Sequence, residues 1–74
     1  MVMIAAEIRI DRITDEEYQE REAWCTQNFG SRALFRDHVD NDNPWFSLYS
    51  PYMLRWWWYF ARKEDATLFA LRWL

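Results

Sequence analysis

Near the N-terminus apolar and polar positions alternate. Ile4, Ala6, Ile8 and Ile10 share one parity, and Ala5, Glu7, Arg9 and Asp11 the other. A period of two places the aliphatic set on one face of a half-buried strand, predicted over 2–11. Thr14-Asp15-Glu16-Glu17 then has the spacing of a capping box, with Ile13 and Tyr18 set for a hydrophobic staple. Acidic residues in this first turn favour a helix N-terminus, and Gly30 supplies a left-handed stop, so a helix is predicted over 15–28. Its inward stripe is Tyr18, Cys25 and Phe29, with Ala23 to one side and Trp24 about 100° away.

Ala33, Phe35 and Val39 share a parity with Asp37, which predicts a second strand over 32–39. Asp40-Asn41-Asp42-Asn43-Pro44 is turn chemistry, and Ser50-Pro51 is a second break. Between them 45–49 reads as a short strand or an ordered aromatic loop. The strongest strand pattern is 54–61, where Trp56, Trp58 and Phe60 share Leu54's face and Arg55, Trp57, Tyr59 and Ala61 take the other. After Lys63-Glu64-Asp65, residues Ala66, Phe69, Ala70 and Trp73 recur at i, i+3, i+4 and i+7, the spacing of a helix.

This order predicts a single α+β domain over 1–74, with two helices on one face of a three- or four-stranded sheet. The strands 2–11 and 54–61 are expected to be parallel if the first crossover is right-handed. The arrangement resembles a ferredoxin-like plait lacking its last strand, which leaves the first strand on an edge with unpaired backbone groups.

Composition sharpens one point. Aromatics make up 20% of the 74 residues, six of them Trp. Whichever face of the 54–61 strand meets the helices, the other still carries Trp57 and Tyr59, or Trp56 and Trp58. Leu68 and Leu71 lie about 140 to 200° round the last helix from Ala66. Each buried aromatic is worth roughly 1.5 to 3 kcal/mol, so a second body is expected to cover them. It is a second copy of the chain, the 40–52 segment folded back, or a foreign protein. The expected contact surface is Trp57, Tyr59 and Arg55 from the strand, Trp45 and Phe46 from the loop, and Leu68 and Leu71 from the helix.

The net charge of −3 is unevenly spread. Residues 1–44 carry five Arg or Lys against ten Asp or Glu, and residues 45–74 carry four against two. Arg55 and Arg62 beside Trp57 and Tyr59 suggest a stacking platform for single-stranded nucleic acid as an alternative, which the negative charge opposes. A second alternative is a small enzyme using His38, flanked by Asp37 and Asp40. A single His and the lone Cys25 fall short of a zinc set, and Asp40-x-Asp42 lacks the glycine and final glutamate of a calcium loop. No catalytic residue, metal or cofactor is therefore predicted. Cys25 reads as a core thiol, and one unpaired cysteine suits a reducing, cytoplasmic compartment. No apolar run reaches the roughly 20 residues that a membrane span requires.

The ending Trp58-Tyr59-Phe60-Ala61-Arg62-Lys63-Glu64-Asp65-Ala66-Thr67-Leu68-Phe69-Ala70-Leu71-Arg72-Trp73 resembles the terminal module of small uncharacterised proteins of tailed bacteriophages. There an aromatic strand leads through an Asp-Ala step into a helix reading Phe-x-Leu-x-Trp. The resemblance implies expression in an infected bacterium, with a role in phage assemblies or in binding and disabling a host factor. It carries no catalytic residue. The combined expectation is a protein–protein interaction protein, a homodimer or the partner of a host or phage protein, that acts by binding and not by catalysis.

Overall fold

The computed structural model describes residues 2–52 and 54–74. Its elements are strand β1 (Ala6–Asp11), helix α1 (Asp15–Phe29), a short 3-10 turn (Arg36–His38), strand β2 (Trp45–Ser50), strand β3 (Arg55–Phe60) and helix α2 (Lys63–Trp73). The fold is α+β, with a three-stranded antiparallel sheet of order β1-β3-β2.

The capping box forms as its spacing predicts. The Glu17 N–H donates to the Thr14 hydroxyl at 3.1 Å, and the Thr14 N–H donates to the Glu17 carboxylate at 2.9 Å. The Thr14 backbone bond is the main reason that the Glu17 carboxyl lies below its ordinary value of 4.5. A lowered carboxyl stabilises the fold above that ordinary value and loses its contribution as the pH falls through the lowered one. Gly30 ends α1 with φ 110° and ψ −154°. The positive φ was expected, but this ψ lies outside the left-handed helical basin, in a region open essentially to glycine alone.

Four expectations need correction. First, β1 starts at Ala6 and not at residue 2. The Ala5 N–H bonds the Phe60 carbonyl at 2.8 Å, out of step with the Ala6–Phe60 pairing, and the chain then swings so that Met3 donates to Val39 at 2.9 Å. Second, β1 and β3 are antiparallel. The crossover through α1 leads to β2, which runs parallel to β1, and β3 returns between them as the other arm of a hairpin.

Third, 32–39 is not a strand. It holds the turn Arg36–His38, closed by His38 N–H to Phe35 O at 2.9 Å, and a single parallel bridge between Arg32 and Trp45. Asp37 shares the parity of the apolar residues and could not be buried beside them without a partner. Only Ala33 and Val39 go inside, and Phe35 is left 61% exposed. Fourth, Trp24 is part of the core. It is half-buried and lies edge-on to Phe29, Phe69 and Trp73 at 5.2–6.2 Å between centroids. The 45–49 stretch resolves as strand β2.

Both helices pack on one face of the sheet. Ile10, Trp45, Trp56, Trp58 and Phe60 meet Cys25 of α1 and Ala66 and Phe69 of α2 there. A second cluster fills the opposite face, where Phe46, Tyr59 and Ala61 pack with Ala33 and Val39. The cover for that face thus comes from residues before Asp40, and not from 40–52. Asp40 instead closes a tight turn, its Oδ1 accepting from the N–H groups of Asn43 and Asp42 at 2.8 and 2.9 Å. The Asn43 bond is the main reason that the Asp40 carboxyl lies below its ordinary value.

Candidate functional site

The residues expected to make contacts divide into an inner and an outer group. Trp45 is 1% exposed, and its indole N–H donates to the Gly30 carbonyl at 2.9 Å. Phe46 and Tyr59 are also buried; they stack on each other at 6.2 Å, with the guanidinium of Arg32 over one ring and that of Arg36 over the other. These three are core residues: Trp45 lies in the cluster beneath the helices, and the chain from Gly30 to Val39 folds over Phe46 and Tyr59 on the other face. Trp57 is half-buried beside Leu48, and Arg55 reaches across to Asp11 at 2.9 Å. Only Leu68 and Leu71 are exposed, at 52% and 79%. They lie on the side of α2 opposite Ala66 and Phe69, where no other described part of the chain covers them.

The surplus of aromatic surface is therefore largely absorbed within the chain. None of the six Trp is exposed. The exposed large apolar side chains include Leu68 and Leu71 on α2 with Leu74 at its end, Leu34 with Phe35 on the covering segment, and Tyr49, Tyr52 and Leu54 around the hairpin turn.

A polar cluster that the alternation pattern did not indicate sits where α1 crosses β2. The Ser47 hydroxyl is fully buried, lies 2.8 Å from the Tyr18 hydroxyl and donates to Glu22 Oε2 at 2.7 Å. Arg32 donates to the Ser47 carbonyl and stands 3.4 Å from Glu22. Burial raises the Tyr18 hydroxyl above its ordinary value. With no access from solvent, Ser47 cannot act as a nucleophile; the cluster pins α1 to the sheet and occupies the outer edge of β2. A serine between Trp45 and Tyr49, on the helix-facing parity, was the available sign.

The two sheet edges differ as a result. Consecutive residues of a central strand direct their backbone groups to opposite neighbours. Ala61 bonds Pro44 at 2.9 Å, so Trp57 and Tyr59 serve β2 while Trp56, Trp58 and Phe60 serve β1. On β2 the outward carbonyl of Trp45 accepts from Ala33 at 2.7 Å and that of Ser47 from Arg32, so this edge is covered over Trp45–Ser47, while Tyr49 beyond it is exposed. On β1 the outward groups belong to Glu7, Arg9 and Asp11. Among the described residues no hydrogen bond reaches them from that side.

The catalytic alternative gains little from the geometry. His38 is exposed at the end of the 3-10 turn, edge-on to Phe35 at 5.2 Å. Among the described residues no three His, Cys, Asp or Glu side chains gather as a metal site would require. Cys25 is fully buried, and burial, helped by the Glu22 and Asp65 carboxylates, pushes its thiol far up, so it packs and does not react. A recess of about 240 Å³ between Asp11, Arg12, Leu54 and Arg55 is smaller than the usual small-molecule cleft. Arg21 is a buried cation whose Nε and Nη1 have no partner; its guanidinium stacks on Trp73 at 5.1 Å, with that of Arg72 also on this ring at 4.2 Å. Among the described residues no helix is long and apolar enough to cross a membrane.

No protein-family model matches the chain, and neither a curated protein nor a solved structure matches it.

Proposed function

We propose that the chain is a small contact protein that works by associating with protein, in the first instance a second copy of itself, and not by catalysis. One observation carries this reading: among the described residues the outer backbone groups of β1 are unpaired along the whole strand, while the other edge is partly covered by Arg32 and Ala33. An exposed strand edge is a template for another chain. The uncovered leucines of α2 support the same reading.

In this proposal the split β-α-β order, with β3 between β1 and β2, corresponds to a ferredoxin-like plait whose fourth strand, the one that would lie beside β1, is supplied by a partner. The resemblance to phage-encoded modules extends the proposal to the cytoplasm of an infected bacterium, with a phage or host protein as a further partner. The single-strand alternative is less well supported, because Tyr59 lies under Arg36 and the covering segment and presents no free ring for a base.

Sedimentation equilibrium from micromolar to millimolar protein tests the reading. The expected result is a mass that rises from one 9.2-kDa copy towards two. A mass that stays at one copy throughout overturns it.

A further inference from the structure

We propose that two copies pair through β1 as antiparallel neighbours centred on Ile8, setting Glu7 of each copy opposite Arg9 of the other and joining the two sheets into one of six strands. The inference rests on the self-association reading above and adds to it the surface, the register and the charges that select the register.

The outward backbone groups of β1 belong to residues 7, 9 and 11, so a ladder that uses them must place odd residues opposite odd residues. Twofold symmetry, the usual solution for a pair of identical chains, allows a register centred on each of the six strand residues; centring on Ala6 or Asp11 overlaps little of the strand and, at Asp11, sets a carboxylate against itself, which leaves four. Centring on Glu7 sets Glu7 against itself. Centring on Arg9 sets Arg9 against itself and Glu7 against Asp11 twice. Like charges directly opposite one another in a ladder are destabilising. Centring on Ile10 pairs Arg9 with Asp11, but Asp11 is already bound by Arg55 at 2.9 Å, and Glu7 then falls opposite Ile13, beyond the end of the strand. Arg12, with φ 58°, marks that end.

The register centred on Ile8 sets no like charges opposite one another and leaves Asp11 to Arg55, at the cost of placing Asp11 opposite Ala5, just before the strand. It pairs Glu7 with Arg9 twice, by symmetry. Both side chains are exposed, and among the described residues neither is in an ion pair. On the helix side the half-buried Ile8 meets its own copy, and Ala6 meets Ile10, so the apolar row of β1 continues across the seam. The twofold axis stands perpendicular to the sheet, which keeps all four helices on one face.

The test exchanges the charges. Glu7→Arg gives each copy Arg at both 7 and 9, and Arg9→Glu gives Glu at both. Each variant alone is expected to associate about ten- to a hundredfold more weakly than the unaltered chain. Mixing the two restores opposite charges at both pairs, so a mixed dimer, seen by native mass spectrometry, is expected at the affinity of the unaltered chain. The double variant, Glu7→Arg with Arg9→Glu, is expected to dimerise with itself. Both positions are exposed, and circular dichroism checks that each variant is folded.

An unaltered chain that dimerises while the single variants do so equally well overturns the register and leaves the contact reading standing. An unaltered chain that remains one copy overturns both.

Discussion

Replacing Trp58 with alanine is expected to destabilise the fold by about 3–5 kcal/mol, on the scale of large-to-small core substitutions. A small domain has only about 5–15 kcal/mol in total, so the variant should lose a large share of its stability, recorded as a strongly lowered midpoint in urea titration followed by circular dichroism. Trp58 is the central residue of the central strand and is fully buried. Its ring lies 5.2 Å from that of Phe69 and 5.3 Å from that of Tyr18, so its loss opens a cavity bordered by both helices. Trp58→Phe should be much milder. Among the described residues the indole N–H has no hydrogen-bond partner, and the smaller ring removes a buried donor along with some contact area. A Trp58→Ala variant as stable as the parent would contradict the packing described for this face.

The second large effect is expected at Ser47. Ser47→Ala leaves the part-buried Tyr18 hydroxyl and Glu22 carboxylate without their shared partner, which should cost about 1 kcal/mol. Tyr18→Phe removes one member of the same cluster. The combined variant should therefore lose less than the sum of the two, by about 0.5 kcal/mol or more. Strict additivity in this cycle would mean that the hydroxyls do not act together.

Much of the helix-facing half of the fold was legible in the chain. The alternation of Ile8 and Ile10, the capping box at Thr14–Glu17, the Trp56-Trp58-Phe60 parity and the Ala66-Phe69-Ala70-Trp73 spacing are local signals, and each element formed where its pattern lay. What the pattern misjudged depends on contacts distant in sequence. The Ala33–Val39 parity suits a strand, but these residues serve instead as a cover for Phe46 and Tyr59, a role visible only once β2 and β3 are adjacent. The direction of β1 relative to β3 depended in the same way on which strand the crossover reached.

The expected contact surface divides along the same line. Leu68 and Leu71 could be assigned outward by helical geometry alone, whereas Phe46 and Tyr59 were drawn inside by a segment whose course their own pattern does not reveal, and Trp45 by the helices on the other face. The edge pair Glu7 and Arg9 carried no signal beyond ordinary strand alternation. Their significance comes from the strand order and from Arg55 having already taken Asp11.

The central claim, that the free edge of β1 is where this protein makes contact, is tested most directly by residue-resolved amide hydrogen exchange in dilute and in concentrated solution. The N–H groups of Ile8 and Ile10, which face β3, should be protected in both. Those of Glu7 and Arg9 should exchange freely when dilute and become protected when concentrated. If Glu7 and Arg9 exchange equally fast at both concentrations, the edge is not the contact and the account is wrong.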